Sequence, residues 1–401
     1  MKVRVCLLAM VCLLFSGCTS TSPTANNVVS AILYLTLGGN PGSIQTYTTT
    51  LSSGALSQFG STQATGNVPV SMALTPSLNA LFVSNNNSNT ITGYAINSDG
   101  SLGTGSSTSD KTGTASAQPM GMTVDPGGKF LFVANQGANS ISVFSINGSS
   151  LTAVAGSPFC NTLSAVSPTC TPVGADVATL PTAVAVSATG KFLYAANNFT
   201  GTVTSYTISS TGTLTPLGGQ PYAVGVAPSG MTIIPGGAFL YVANTGSNNV
   251  SAFAICDKVV NTCSNPNSPD GLLTPITGSP FSVGLGPIEV AADPFFSFLY
   301  VLNKQSFQIS QFSYAPGTGV LSPLSTAAVS TGTTPLSFVI VAGATGTDTA
   351  NTLTEPTDYV YVANNGDSSI TAFTLNTTTG LLTPLGAATT IPGNPTVVAA
   401  N

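Results

Sequence analysis

The sequence predicts an all-β fold, a seven-bladed β-propeller of four-stranded antiparallel blades that closes when the carboxyl-terminal strand joins the first blade. An apolar alternation that ends in a polar turn, as in Phe239–Asn244, occurs seven times along the chain. Each copy lies in a unit of four strand-like runs separated by turn residues. Repetition at this period is typical of radial or stacked repeat architectures.

Aromatic residues stand at the centre of the seven copies and set the period of the repeat. Their spacings are 48, 50, 62, 47, 59 and 61 residues, and a propeller blade usually takes ~40–50. The three long spacings contain the insertions 160–170, 256–270 and 343–357. These central residues, which we expect to pack in the core between blades, are Tyr34, Phe82, Phe132, Tyr194, Tyr241, Tyr300 and Tyr361.

One unit shows how a blade is assembled. The proline-led run 181–186 comes first, and after a glycine-lysine turn the aromatic run follows at 192–197. Two further runs, 202–208 and 214–217, complete the unit. Four short runs in this order predict an antiparallel meander. One such sheet cannot bury both faces alone, but sheets stacked radially against each other can.

The two ends of the chain predict how the ring closes. The first aromatic run, 32–35, has no proline-led run before it, and the chain finishes on the proline-led run 395–400. The last strand should therefore complete the first blade and remove two free sheet edges. A stacked solenoid would need distinct capping units instead. The prolines that begin the seven first strands are Pro69, Pro119, Pro181, Pro228, Pro287, Pro335 and Pro395.

The strand order also predicts which loops share a face of the disc. In a meander the first strand begins where the second ends, so the connections between blades and the turn after Asn244 lie together. We call this the asparagine face, and loop 160–170 belongs to it. Loops 256–270 and 343–357 and both chain termini are expected on the opposite face, here called the terminal face. We predict that the terminal face lies next to the membrane.

Residues 1–18 have the layout of an export signal. A short basic start precedes the apolar run 5–15, which is too short to span a bilayer. The segment 14–18 resembles a bacterial lipoprotein box, with Phe15 where that motif usually has leucine. The resemblance implies that Cys18 is lipidated and becomes the new amino terminus. A plain secretory peptide cut at small residues is the alternative.

A lipid anchor implies a place in the bacterial cell envelope, at the outer membrane or the cell surface. Residues 19–28 are rich in Ser, Thr, Pro and Asn and are expected to form a flexible tether. Residues 29–401 are then a single propeller.

Four cysteines remain once the signal is removed and Cys18 is lipidated, and they form two close pairs: Cys160 with Cys170, and Cys256 with Cys263. Each pair lies in an insertion. In an oxidising compartment two local disulfides are favoured over a metal site. The chain has no histidine and no short zinc-ligand spacing, so neither a metal nor another cofactor is expected.

The charge inventory limits the kinds of partner. After the signal there are five lysines, no arginine and twelve acids, a net charge of 5 − 12 = −7. Nucleic acid is excluded, because its binding needs clustered basic residues. We expect a monomer that contacts the membrane through its lipid and binds an unidentified envelope or extracellular ligand.

The repeated unit resembles the lactonase family of seven-bladed propellers. Four runs, which together cover residues 31–401, carry the resemblance: P-x-x-V-A-V, G-K-F-L-Y-V-A-N, T-V-S-x-F-x-I and G-x-L-T-P-L. That family includes 6-phosphogluconolactonases and fungal carboxy-muconate cycloisomerases, and the unit is also similar to the YVTN repeats of surface-layer proteins. The resemblance implies the fold, and as an activity it implies hydrolysis of a lactone.

The residues that carry activity in the family are missing here. Its enzymes resemble one another at a Gly-Pro-Arg-His start of a first strand, where this chain has Ile288 and Glu289 in place of arginine and histidine. They also share a glutamate after the asparagine that ends a second strand. At that position this chain has Asn86, Gln136, Asn198, Thr245, Lys304 and Asn365. With no histidine base and no arginine clamp, the resemblance indicates ancestry more than activity.

Glu289 and Lys304 are the candidate catalytic residues. Glu289 stands at a first-strand start, where it could act as a general base with Lys304 as an electrophilic partner. The simpler interpretation is a channel or surface carboxylate that is solvated or paired with Lys304. Asn244 and Asn303 are candidate ligand-binding residues, but asparagine ends six of the second strands, and such regularity favours a role in forming turns.

Other polar residues are expected to be structural. Asp125 and Asp293 precede prolines in equivalent turns and should bond their own backbone. Residues 97–100 superficially resemble a calcium loop, yet they lack the downstream glutamate, so a hairpin turn is expected.

The sequence therefore favours a non-catalytic, lipid-anchored propeller of the cell envelope that serves in binding or scaffolding. A lactone hydrolase with an altered site near Glu289 is one alternative. A surface-layer or adhesive protein is the other.

Overall fold

The computed structural model describes residues 31–50, 53–109, 117–161, 170, 179–263, 267–342 and 358–400. These residues form strands, turns and bends, and seven antiparallel sheets are arranged as the blades of a ring. The predicted all-β propeller is confirmed. The signal, Cys18 and the tether lie outside the described residues.

The strands of the first four blades follow one another along the chain. Blade 1 contains β1 (Ile32–Leu37), β2 (Ser43–Thr50) and β3 (Ala55–Ala64), and blade 2 contains β4 (Pro69–Leu74), β5 (Ala80–Asn85), β6 (Thr90–Ala95) and β7 (Ser106–Ser109). Blade 3 contains β8 (Pro119–Val124), β9 (Phe130–Asn135), β10 (Ser140–Asn147), β11 (Ser150–Ala153) and the short β12 (Phe159–Cys160). Blade 4 contains β13 (Pro181–Val186), β14 (Phe192–Asn197), β15 (Thr202–Ile208), β16 (Leu214–Pro216) and the short β17 (Tyr222–Ala223).

The remaining blades repeat this order. Blade 5 contains β18 (Pro228–Ile233), β19 (Phe239–Asn244), β20 (Asn249–Ile255), β21 (Leu273–Pro275) and β22 (Phe281–Ser282). Blade 6 contains β23 (Pro287–Ala292), β24 (Phe298–Asn303), β25 (Gln308–Tyr314) and β26 (Leu321–Ser330). Blade 7 contains β27 (Pro335–Val341), β28 (Asp358–Asn364), β29 (Ser369–Leu375), β30 (Leu382–Pro384) and β31 (Thr389–Thr390), and the chain ends with β32 (Pro395–Ala400).

The carboxyl-terminal strand closes the ring as predicted. The sheet of blade 1 has the order β3-β2-β1-β32, and Leu33 of β1 lies opposite Ala400 of β32. The first strand of every blade begins at the expected proline. Each first strand neighbours the next around the axis, and β32 neighbours both β27 and β4. Because the ring is closed in this way, neither the first nor the last blade leaves an uncovered sheet.

The start of each first strand has an unusual backbone. A register shift follows the leading proline, which lacks the N–H that a regular ladder would use. In six blades the residue before the proline has a left-handed backbone, with φ between 48° and 64°. Hydrogen bonds hold this conformation in place; at Leu180, for example, the N–H donates to Asn139 Oδ1 and the carbonyl accepts from Asn198 N. The six residues are Val68, Gln118, Leu180, Ala227, Gly286 and Thr334.

The core lies between neighbouring blades, and the seven central aromatic residues are fully buried in it. Five of them are tyrosines, and each donates its hydroxyl to the carbonyl of a glycine in the outer hairpin of the next blade, at 2.6–3.1 Å. The pairs are Tyr34 with Gly100, Tyr194 with Gly271, Tyr241 with Gly319, Tyr300 with Gly380 and Tyr361 with Gly54. The second strands thus join blades by hydrogen bonds as well as by packing.

Both predicted disulfides are present, one on each face of the disc. Cys160, the last residue of β12, bonds to Cys170 in the connection between blades 3 and 4. Cys256 bonds to Cys263 in the connection between β20 and β21, on the terminal face. Insertion 343–357 joins β27 to β28 and lies outside the described residues. Within the described ranges, no helix has the length and apolar character needed to cross a membrane.

Replacing Tyr241 by phenylalanine should lower the free energy of unfolding by about 1 kcal/mol, because the buried carbonyl of Gly319 loses its donor at 2.6 Å. Urea denaturation followed by circular dichroism measures the change.

The reciprocal variant is Phe132→Tyr, which adds a hydroxyl at the equivalent position of blade 3. This variant should be neutral or stabilising. Equal losses in both variants would show that ring packing, and not the inter-blade hydrogen bond, sets the stability at this position.

Candidate functional site

The candidate site lies where the seven first strands surround the axis, at the end of the channel that opens on the asparagine face. Each first strand pairs with a second strand on one side only, so its other edge faces the axis without a strand partner. Backbone groups on such an edge need hydrogen bonds from elsewhere. Side chains near the channel can supply these bonds. A side chain that is used in this way is less available to bind a substrate or to take part in a reaction.

Glu289 lies on β23, two residues after Pro287. Its Oε2 accepts the N–H of Phe338 on β27 at 2.9 Å, and its carboxylate is also hydrogen-bonded by the side chain of Ser337. Ser337 Oγ in turn accepts the N–H of Val398 on β32 at 3.4 Å. The carboxylate is therefore the start of a chain of contacts that links blades 6, 7 and 1.

The same position along other first strands also mediates contact with the next blade. In blade 2 it is Ser71, whose Oγ accepts the N–H of Met122 at 3.3 Å. In blades 3 and 5 it is glycine, and there the neighbouring backbone comes so close that a Cβ on Gly121 would lie 2.7 Å from Thr182 O, and one on Gly230 2.5 Å from Ile288 O. Glu289 thus occupies a position whose common property is contact between blades.

Burial raises the pKa of Glu289 to about 7, and the hydrogen bonds from Phe338 and Ser337 lower it without offsetting the burial. The side chain remains partly exposed, since it lies at the channel, with protein around it and a limited approach for water. A carboxyl group of this kind can accept or release a proton near neutral pH.

Lys304 lies on the asparagine face, directly after β24. Its backbone N–H donates to Gly286 O at 2.8 Å, and its side chain is partly exposed. Across the described part of the chain the structure records no ion pair between Lys304 and Glu289. Glu289 is opposite Leu302 in the sheet, so the two candidates share a region of the fold without direct contact.

The six asparagines that end second strands are fully buried and bond to the neighbouring third strand. In Asn244, Nδ2 donates to Asn249 Oδ1 at 2.8 Å and to Ser251 Oγ at 3.0 Å. In Asn303, Nδ2 donates to Ser310 Oγ at 2.9 Å. The same amide geometry, with serine or threonine partners, recurs at Asn85, Asn135, Asn197 and Asn364. These bonds fit the turn-forming interpretation.

The opposite atom of the asparagine amide differs between blades. Asn85 Oδ1 accepts Gly66 N at 3.0 Å, and Asn364 Oδ1 accepts Gly332 N at 3.1 Å. Among the described residues, the buried Oδ1 atoms of Asn135, Asn244 and Asn303 have no hydrogen-bond partner. All three oxygens are buried, so the candidate ligand-binding residues Asn244 and Asn303 present no exposed amide atom to the channel.

The residues that follow these asparagines form a second ring of hydrogen bonds. This ring was not predicted from the sequence. Four of these residues donate a side-chain hydrogen to the carbonyl of the proline that begins the next blade. The pairs are Asn86 with Pro119 at 3.4 Å, Asn198 with Pro228 at 3.1 Å, Thr245 with Pro287 at 2.6 Å and Asn365 with Pro395 at 3.2 Å. An ionised glutamate could not donate these bonds. The amide and hydroxyl side chains at these positions are the feature of the sequence from which the bonds could have been predicted.

The acids expected to stabilise turns do so. Asp125 accepts the N–H of Gly127 at 3.1 Å, and Asp293 accepts those of Phe295 and Phe296 at 2.8 and 2.9 Å. Residues 97–100 form part of the hairpin between β6 and β7, in which Ser101 N donates to Asp99.

Asp270 lies within 4.8 Å of Cys256 and Cys263, a grouping that resembles a metal site. Both sulfurs are joined in the disulfide, so they are not thiolate ligands.

Replacing Glu289 by glutamine should remove a pH dependence of stability. Because the folded pKa of about 7 exceeds the ordinary value of 4.5, the folded state holds the proton more tightly and stability falls as the pH rises from 4.5 to 7. We expect a fall of about 2 kcal/mol in the wild-type protein, since channel water screens part of the effect. Urea unfolding at several pH values measures it.

The Glu289→Gln variant should lack this fall and be the more stable protein at pH 8. Asp99→Asn is the matched control, because Asp99 is exposed and its pKa is lowered by hydrogen bonds from Ser101, so it does not titrate in this window. A wild-type profile that rises across the window would contradict the prediction.

Replacing Asn244 by alanine should lower the free energy of unfolding by about 2–3 kcal/mol, because Asn249 and Ser251 lose a buried partner and a cavity forms. Lys304→Ala, at a partly exposed side chain, should change it by no more than about 0.5 kcal/mol. Thermal and urea unfolding compare the two. An Asn244→Ala protein as stable as the wild type would favour a ligand-binding role for the ring of asparagines.

Comparisons with known proteins agree with the seven-bladed fold. A family model described as lactonase, 7-bladed beta-propeller, matches residues 29–111 and 160–261. A search of curated proteins found no match to this chain. Among solved structures, a putative 6-phosphogluconolactonase from Bacteroides fragilis is similar with a TM-score of 0.72 and 19% identity, over 95% of this chain and 100% of that one.

Two further solved structures give the same result. A putative 6-phosphogluconolactonase from Bacteroides uniformis has a TM-score of 0.69 and 17% identity, over 93% of this chain and 99% of its own. The periplasmic gluconolactonase of Pseudomonas aeruginosa has a TM-score of 0.67 and 19% identity, over 92% and 99%. At these identities the likeness extends to the fold alone.

Proposed function

We propose that this seven-bladed β-propeller is an exported, lipid-anchored member of the lactonase family that binds a ligand or partner in the cell envelope and does not hydrolyse lactones. The observation that carries this proposal is the use of the polar side chains at the channel. Asn198, Thr245 and their equivalents bond to the next blade, and Glu289 caps the N–H of Phe338. These side chains hold the ring together, and few polar groups at the channel remain free to take part in a reaction.

The remaining inventory supports the same proposal. The chain has no histidine, and the residues after Cys18 contain no arginine, so the usual base and anion clamp of such a site are missing. Lys304 is the one cation of the described asparagine face, and Val226 and Leu285 are exposed beside the first strands of blades 5 and 6. An apolar rim with little charge suits a neutral or partly apolar ligand better than a phosphorylated one.

Export is supported by three independent features. Residues 1–18 have a signal layout that ends in Cys18, two disulfides are formed, and one structure with the same fold is named a periplasmic gluconolactonase. Attachment through a lipid on Cys18 follows from the lipoprotein-like segment 14–18.

A lactone hydrolase with an altered site is the second candidate, and the state of Glu289 favours it. A partly exposed carboxyl group with a pKa of about 7 is suited to act as a base at neutral pH. Against this, its Oε2 is already bonded to Phe338 N, and no cationic side chain of the described residues contacts it.

Hydrolysis assays with purified mature protein distinguish the two functions. Glucono-δ-lactone and its 6-phosphate are followed by proton release, with wild type and Glu289→Gln at equal concentration. For a binding propeller, both proteins should match the spontaneous rate. Turnover by the wild type that disappears in Glu289→Gln, with unchanged circular dichroism, would establish the hydrolase and overturn the proposal. Lys304→Ala tests the second candidate catalytic residue in the same assay.

A further inference from the structure

Exposed apolar side chains project from the turns of three blades on the terminal face. Phe295 is 69% exposed, Val259 is 60% exposed and Leu78 is 43% exposed, and Val260 beside Val259 is 41% exposed. Phe295 lies between β23 and β24, the two valines between β20 and β21, and Leu78 between β4 and β5. We call these four residues the apolar tips.

Each tip is held outward by its own turn. Phe295 N donates to Asp293 Oδ1 at 2.8 Å, and Val259 N donates to Asp257 Oδ1 at 3.0 Å in a loop closed by the Cys256–Cys263 disulfide. Leu78 N donates to Thr75 O at 2.8 Å, and Leu78 has a φ of 54°. Short turns fixed by local hydrogen bonds keep these side chains from folding back onto the blades, so their apolar surface stays exposed to water.

The chain termini determine what this face can reach. Leu33 of β1 lies opposite Ala400 of β32, and both belong to the terminal-face ends of their strands. This step rests on the proposed lipid anchor at Cys18. Only residues 19–30 separate Cys18 from the first described residue, Ala31, a reach of at most ~45 Å when fully extended. The tether leaves the disc from the terminal face, so a lipidated Cys18 keeps this end of β1 within that distance of the bilayer.

Charge does not attract this face to a bilayer. The described terminal face carries three exposed lysines, Lys129, Lys191 and Lys258, and two exposed or partly exposed acids, Asp99 and Asp270. Four further acids of this face, Asp125, Asp257, Asp293 and Asp358, are buried, so acids outnumber lysines by six to three and attraction to anionic lipid is weak. Apolar side chains that enter the boundary between headgroups and acyl chains are then the main source of affinity.

We infer that the terminal face rests flat on the bilayer that holds the lipid anchor, with the apolar tips inserted at the interface. Tips on blades 2, 5 and 6 can reach one plane together only when the disc lies parallel to the membrane. The channel mouth on the asparagine face then points away from the bilayer. Exposed apolar residues also occur on the asparagine face, at Val68, Phe199, Val226, Leu285 and Phe307, so the tether, and not apolar exposure alone, selects the face.

The chain contains no tryptophan, so a single introduced tryptophan reports its own environment. Phe295→Trp places the probe on an apolar tip, and Phe199→Trp places it on the asparagine face at a similar exposure of 64%. The lipidated protein is reconstituted into phosphatidylcholine vesicles with or without brominated acyl chains, which quench tryptophan on contact. Phe295→Trp should lose more than half of its fluorescence in brominated vesicles, and Phe199→Trp should lose none.

Two additional measurements sharpen this test. Replacing Val259 and Val260 by serine in the Phe295→Trp protein should reduce the quenching, because two neighbouring tips no longer insert. Raising the salt concentration should leave the quenching unchanged, since the contact is apolar. Quenching of Phe199→Trp instead of Phe295→Trp, or of neither, would overturn the inference.

Failure of the lipid anchor is detected separately, by mass spectrometry of the amino-terminal peptide. If Cys18 carries no lipid, the same variants are tethered to nickel-chelating lipid through a polyhistidine segment in place of residues 1–18. The quenching pattern of the tethered protein then decides the orientation of the disc. The anchor can thus fail while the contact of the terminal face is confirmed, and the reverse is equally observable.

Discussion

The inner edges of seven strands constrain this fold more than any other feature. Each first strand pairs with a second strand on one side, and its other edge faces the axis. Polar backbone groups there must be satisfied by side chains or by the neighbouring blade. The ring uses three means: a leading proline that has no N–H, a glycine that lets two backbones meet, and a side chain that bridges to the next strand. The side chains nearest to the channel therefore serve mainly to hold neighbouring blades together.

Most of the fold could be predicted because its determinants repeat. Seven proline-led runs and seven aromatic runs, with the last proline-led run at 395–400, specified the number, order and closure of the blades, and the structure agrees at each leading proline. Both disulfides could be predicted because each cysteine pair is local and lies in an insertion. When a local pattern is repeated, each copy independently supports the structure that the other copies predict.

The contacts between blades were not predictable in the same way. Tyr241 and Gly319 are far apart in the sequence, and nothing local to either residue shows that they meet. The same holds for Glu289 and Phe338, which belong to different blades. The sequence predicted the tyrosines to be core and left the glutamate as either a channel or a surface carboxylate, and in both cases the partner depends on how one blade is placed against the next. That placement is a tertiary property, set by packing around the whole ring.

A composition poor in charge fits this use of side chains. Serine, threonine and asparagine can both donate and accept, so they satisfy strand edges in either direction, as Thr245 and Ser337 do here. A charged group in such a place suffers desolvation, which is visible in the raised pKa of Glu289. Glu289 is consequently the one position of the described channel where structural and chemical roles conflict. Its carboxyl group holds the next blade through the N–H of Phe338 and can also exchange a proton near neutral pH, because burial raises its pKa to about 7.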